Sequence, residues 1–250
     1  MENVLGDIRK GVSTRSQVSN FYGFTAFVSQ IEPKTIKEAI VDKFWTLVMQ
    51  DELNQFKRNE VWDLVPCPKG KSIIGTKWVF RNKLDKNGII TINKARLVAK
   101  GYNQEKGIDY EETYAPVARL KAIRLLLPFV SCLDFKLFQM DFKSAFLNGL
   151  LNEEVYVSQP PEFEDIEYSD HAYILKRALY GLKQAPRAWY EHLSKFLLEK
   201  GLSRGNIDNT LFTKHKGKDI LLVQVYVDDI IFGSSNDIMC QEFSKLMHGE

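Results

Sequence analysis

Residues 220–232 form one apolar run that is broken at its middle by two adjacent acids, Asp228 and Asp229. Two carboxylates left unpaired inside a buried strand would be costly. The run is therefore expected to fold back on itself as a hairpin with the acids at its tip. Asp141 is a third acid, placed at the end of the apolar segment 135–141, which reads as a buried strand. Carboxylates at neighbouring strand ends can converge on hard divalent cations through oxygen. Two such cations about 3.5–4 Å apart clamp the attacking and leaving oxygens of a phosphoryl transfer. Taken alone, an Asp-Asp pair is more commonly just a polar hairpin tip.

A chain of 250 residues can bury a substantial core, roughly 70–75% of its unfolded surface. With 44% hydrophobic and 26% charged residues, it is not a disordered, collagenous or low-complexity chain. Its apolar runs are too short to span a bilayer, and the start, MENVLGDIRK, has no secretory pattern, so neither membrane nor export is expected. The three cysteines (Cys67, Cys132, Cys240) are scattered, which argues for reduced thiols rather than a disulfide framework or zinc site.

The net charge of +2 hides a strong asymmetry. Residues 69–106 carry ten Lys/Arg and two acids, whereas 152–170 carry seven acids and no Lys/Arg. The basic block is either a solvated face or a surface that holds a polyanion. Along the chain, residues 1–34 look like a polar linker or tail. Thr35 to Glu38 has the form of a capping box, and Ile36, Ile40, Phe44, Leu47 and Val48 recur at helical spacing, predicting one helix over 35–57. Strands around Trp78–Leu84 and Ile90–Val98 flank the turn Asp85-Lys86-Asn87-Gly88. On the second of these, Lys94, Arg96 and Lys100 share parity and point to one side. A helix over 118–132 is predicted, with Leu120, Ile123, Leu127 and Val130 inward and Pro128 kinking it. A short helix near Ser144 and strands at 154–157 and 173–176 follow. A helix beginning at Pro186 has Trp189, Leu193, Phe196 and Leu197 as its buried stripe and Gly201 as its stop. A last helix starts near Asn236.

Tyr226-Val227-Asp228-Asp229 has the form Tyr-X-Asp-Asp and resembles the catalytic hairpin of reverse transcriptases. The segment from Asp141 to Gly149 (DFKSAFLNG) resembles the first metal-binding motif of copia-type long-terminal-repeat retrotransposons. Residues 94–101 (KARLVAKG), 107–118 (GIDYEETYAPVA) and 179–190 (LYGLKQAPRAWY) are similar to other blocks of the same family, in its order and at its spacing. The resemblance covers about residues 35–250, and the tail before it resembles the stretch joining integrase to polymerase in the Pol polyprotein.

This resemblance implies an α+β fold, a right-hand polymerase with palm and fingers, an antiparallel palm sheet bearing the catalytic hairpin, and no thumb. Residues 58–115 and 149–182 would be fingers; 116–148 and 183–250 would be a truncated palm. It implies RNA-directed DNA polymerisation, with two Mg²⁺ ions (Mn²⁺ able to substitute) held by Asp141, Asp228 and Asp229. Phe146, five residues after Asp141, would crowd the sugar 2′ position and favour deoxynucleotides; it could equally be a core aromatic. Arg96 foremost, with Lys94 and Lys83 beside it, would meet the incoming triphosphate, since guanidinium offers a planar fork of donors to phosphate. Gly181, Lys183 and Gln184 would shape the nucleotide pocket. Tyr226, Lys100 and Pro186 would lie against primer or template.

The implied partners are an RNA or DNA template with primer, deoxynucleoside triphosphates, and the family's C-terminal thumb and RNase H region, expected to be missing here. The implied location is cytoplasmic, in the family's virus-like particles, or nuclear. Pro128 and the bulky Phe142 depart from the family pattern, and with the expected truncation they fit an eroding element. A decayed or repurposed fragment that at most binds nucleic acid is therefore carried beside the polymerase. Another two-metal palm enzyme, such as a nucleotide cyclase, is disfavoured by the 94–100 block and the Tyr-X-Asp-Asp form.

Overall fold

A computed structural model describes residues 28–132 and 135–248. Residues 1–27, most of the expected linker, lie outside the described residues. The described residues have a mixed α/β architecture with three separate sheets, and the chain divides into two compact units.

The first unit comprises the described residues up to 55, with 77–97 and 160–163. Its helices are α1 (Ile36–Val41) and the start of α2 (Lys43–Arg58). The single helix expected over 35–57 is thus broken at Asp42, which adopts extended backbone (φ −93°, ψ 113°) while its carboxylate accepts from the Phe44 N–H. The Thr35–Glu38 capping box forms as expected, with the Glu38 N–H donating to the Thr35 hydroxyl. The inward stripe differs from the expected one. Trp45, Met49, Glu52 and Phe56 are buried, at spacings of four, three and four, whereas Leu47 is exposed. The apolar residues on the neighbouring face had masked the true stripe. Strands β3 (Thr76–Leu84) and β4 (Ile90–Ala99) form a two-stranded ribbon. Its turn is the predicted one: Asp85 Oδ1 accepts from the Asn87 and Ile89 N–H groups, and Gly88 takes φ +81°. Trp78 and Phe80 are buried in the ribbon, and Trp45 meets Phe80 edge-on at 5.3 Å.

The second unit contains the other two sheets. In one, β1 (Trp62–Pro66), β7 (His171–Arg177), β6 (Leu150–Val157) and β2 (Ile73–Ile74) lie side by side. Trp62 stacks on Tyr173 with centroids 4.1 Å apart, clamping the β1–β7 pair. The other sheet has the order β5 (Lys136–Asp141), β11 (Asp229–Ser234), β10 (Asp219–Tyr226), β9 (Leu211–Lys216), β8 (Ser203–Arg204), antiparallel throughout. The segment expected to be a buried strand, 135–141, is instead an edge strand and mostly exposed.

One face of this sheet carries the main core. Leu221, Val223, Val225, Ile230 and Phe232 pack against Trp189, Leu193 and Leu197 of α4 (Ala185–Glu199), and against Met239, Phe243 and Met247 of α5 (Asp237–His248). Of the stripe predicted for α4, Trp189, Leu193 and Leu197 are buried and Phe196 is half-buried, and Gly201 ends the helix at φ +81°. Helix α3 (Leu120–Cys132) contains Pro128 and packs Leu126 and Val130 on Leu222. Of its expected inward residues only Val130 is buried, while Leu120 and Leu127 are 61% and 50% exposed. With almost every position in α3 apolar, periodicity did not single out a face.

Candidate active site

The 220–232 run folds as the hairpin its acids demand. Tyr226 pairs with Asp229 across the end of β10–β11, leaving Val227 and Asp228 as a two-residue turn. Val227 has φ +55°, left-handed backbone that a β-branched residue adopts only under strain. Its carbonyl oxygen accepts a 2.7 Å hydrogen bond from Nε1 of the buried Trp189 on α4.

On the other side, β11 pairs with β5 so that Asp229 lies directly opposite Asp141. The register continues past the strand end, where the Phe142 N–H donates to the Asp228 carbonyl at 2.8 Å. Directly opposed residues on antiparallel strands project to the same face. The backbone thus brings all three predicted carboxylates to adjacent positions, with Tyr226, exposed, beside them.

As a donor set, three carboxylates suit a hard, oxygen-seeking divalent cation. Their side chains, however, do not converge: among the described residues no group of three His, Cys, Asp or Glu is arranged to hold a metal ion. One Asp229 oxygen instead accepts from the Gln139 amide at 3.0 Å.

Phe146 sits in a 3₁₀ turn, Ala145–Asn148, entered through Ser144 at φ +58°. Its ring tilts against Tyr180 at 4.9 Å, and it is only partly buried. Gly181, Lys183 and Gln184 lie in the connection into α4, with Pro186 in that helix's first turn. Here the sequence reading missed the partner segment. A Cβ on Gly181, at φ +93°, would fall 2.2 Å from the Ala99 carbonyl oxygen, and one on Gly101 would fall 2.0 Å from that of Gly181. The two glycines let the chain after β4 touch the 179–184 turn.

Gln104 completes this junction. Its carbonyl accepts from Lys183 Nζ, its side-chain oxygen from the Lys183 N–H, and its amide donates to Gln184 Oε1 at 3.0 Å. The Gln184 amide donates in turn to the Asp109 carbonyl. Gln104 and Gln184 are 3% and 2% exposed, so Gln184 acts here within the protein rather than at its surface. Lys100 begins the same junction, its N–H donating to the Gly75 carbonyl. The sequence signal for Gln104 was slight: a Gly-X-X-Gln spacing just after the basic strand.

Lys94 and Arg96 belong to the other unit. They lie on the partly exposed face of β4, alternating with the buried Asn93, Ala95 and Leu97. Lys83 lies on β3 and is exposed.

A family model described as reverse transcriptase (RNA-dependent DNA polymerase) matches residues 59–250. The chain belongs to the reverse transcriptase family. Its similarity to the Arabidopsis thaliana retrovirus-related Pol polyproteins from transposons RE2 and RE1 is 41% and 40% identity, each over 90% of this chain and 16% of the relative. The corresponding polyprotein from Nicotiana tabacum transposon TNT 1-94 is 37% identical over 80% of this chain and 15% of its own length. The reverse transcriptase chain thus spans about a sixth of these polyproteins, and the resemblance to copia-type transposons is borne out. A Candida albicans telomerase structure aligns with 82% of this chain and 44% of its own at 10% identity and a TM-score of 0.36, too distant to carry further argument. Among the described residues no helix is long and apolar enough to cross a membrane.

Proposed function

We propose that this chain is the palm and fingers of an RNA-directed DNA polymerase, adding deoxynucleotides to a primer 3′-hydroxyl on an RNA or DNA template as part of a larger Pol polyprotein. The observation that carries this is the register that sets Asp141 opposite Asp229 with Asp228 in the adjoining turn.

In this reading the five-stranded sheet is the palm, and Asp141 and Asp228 would hold two Mg²⁺ ions, with Asp229 supporting the site, once their side chains turn toward one another. When bound, such cations would supply charge neutralisation for in-line attack of the 3′-hydroxyl on the α-phosphate and departure of pyrophosphate. The protein's share is positioning. The β5–β11 pairing fixes the carboxylate-bearing backbone, and Tyr226 offers an exposed ring beside it for the primer end. Phe146 crowds the sugar 2′ position, its ring braced by Tyr180. Arg96 and Lys94 are assigned to the triphosphate on the family resemblance alone. The Gly101–Gly181 junction, locked by Gln104 and Gln184, shapes the pocket wall, so Gln184 and Lys183 act by holding backbone in place.

Primer extension tests the reading: an RNA template, deoxynucleotides, and Mg²⁺ followed by Mn²⁺, with Asp228→Asn as control. Extension by the wild type that the control lacks is expected. Extension by both would remove the carboxylates from the chemistry.

A further inference from the structure

The turn that carries Asp228 is held from below by one side chain on a different element. Trp189 is 2% exposed, and its Nε1 donates to the Val227 carbonyl at 2.7 Å. The same indole meets Phe142, the residue after Asp141, in a tilted contact with centroids 5.1 Å apart. Phe142 in turn donates its N–H to the Asp228 carbonyl. One ring therefore touches both carboxylate-bearing segments, bonding the turn through nitrogen and meeting Phe142 in a tilted ring contact.

The backbone that carries the indole is closely packed. A Cβ on Gly149 would fall 2.6 Å from the Trp189 backbone nitrogen, so the 3₁₀ segment lies flush against the start of α4. The bond also meets a need: Val227 sits at φ +55°, where a β-branched residue is disfavoured, and such a conformation persists only when its surroundings over-determine it.

We infer that Trp189 is a positioning residue of the nucleotidyl-transfer site, fixing the strained Val227 turn so that Asp228 and Asp141 keep one relative placement. The inference rests on the polymerase reading given above. It makes the Trp of the 179–190 block more than a core residue and ties α4 to the carboxylates.

The test compares wild type, Trp189→Phe, and Trp189→Phe with Val227→Gly. Phenylalanine keeps a ring against Phe142, deletes the donor and gives up some buried ring volume, which the exchange rates of 185–199 monitor. Glycine removes the penalty at positive φ, so the turn can hold its shape without the bond. In Trp189→Phe, kcat for nucleotide addition is expected to fall tenfold or more, with nucleotide KM within twofold of wild type. The added Val227→Gly is expected to restore kcat to within threefold. Amide exchange of peptides covering 225–231 should speed up tenfold in the single variant, while peptides from 185–199 stay at wild-type rates.

Unchanged kcat in Trp189→Phe overturns the inference. So does a loss that Val227→Gly does not repair, or one in which α4 exchanges faster along with the turn, since either marks a packing defect. If the wild-type chain extends no primer, the polymerase reading fails by itself. Amide exchange then still decides the positioning role: selective acceleration of the turn upholds it, and an unaltered turn refutes it.

Discussion

Asp141 and Asp229 are direct cross-strand partners, the last pair of the β5–β11 ladder before the Phe142–Asp228 backbone bond closes it. The carboxylates are thus placed by sheet register, the most rigid device the fold has, and not by loops. A one-residue slip of β5 would turn Asp141 to the opposite face and bring Met140 into its place.

Asp141→Asn is expected to abolish extension, a loss of a thousandfold or more, corresponding to about 4 kcal/mol of transition-state stabilisation. Asp141 is exposed on an edge strand, so the melting temperature should stay within a few degrees of wild type. Steady-state extension read beside thermal denaturation checks both halves.

The proposed sugar and triphosphate contacts should separate kinetically. Phe146→Val should raise the ratio of ribo- to deoxynucleotide incorporation. Arg96→Ala should raise nucleotide KM with less effect on kcat, because it removes a binding contact rather than a reacting one. An unchanged ribo-to-deoxy ratio would leave Phe146 as packing for Tyr180.

The glutamine pair should behave as a unit. Gln104→Leu strands the Gln184 Oε1 and the Lys183 N–H in a buried place, at about 1–3 kcal/mol for each unsatisfied group. Gln184→Leu should cost a similar amount. The double variant should cost less than the sum, with a coupling of about 1 kcal/mol or more in a urea-denaturation cycle. Strict additivity would mean that the two amides do not meet.

Gly181→Ala combines a left-handed φ with a backbone clash that no side chain can relieve. Roughly 2–4 kcal/mol of destabilisation is expected, a drop on the order of 10 °C in melting temperature. A variant as stable as wild type would show that the chain after β4 does not touch the 179–184 turn.

The thiols report on the fold. Cys67 and Cys132 are exposed, whereas Cys240 is buried in α5 and its thiol is pushed up from the ordinary range, chiefly by burial. The thiolate is the reactive form, so a raised pKa means less of it at pH 8. Native protein at that pH should show two fast-reacting thiols and a third that reacts only after denaturation. Three fast thiols would mean that α5 is not seated on the sheet.

Much of the second unit could be read from the sequence because its signals were discrete. Acids in an apolar run forced the hairpin, and Pro186 with Gly201 bounded α4. The sequence was least informative where apolar residues were too abundant. In α3 and around Leu47, several faces looked equally buriable, and only tertiary contacts chose between them. The Gln104–Gln184 lock was invisible for the opposite reason: two polar residues 80 positions apart in sequence carry no local pattern. Trp189 was legible as core but not as donor, because periodicity places a ring without saying where its nitrogen points.

The paired glycines bear on the history of the chain. Every residue that can replace glycine adds at least a Cβ, and at 101 or 181 that atom would run into main chain. A copy drifting without selection would therefore break this joint at the first missense change at either codon, with no change needed in Asp141, Asp228 or Asp229. This sequence has both glycines and all three acids, so the joint and the carboxylates are intact together.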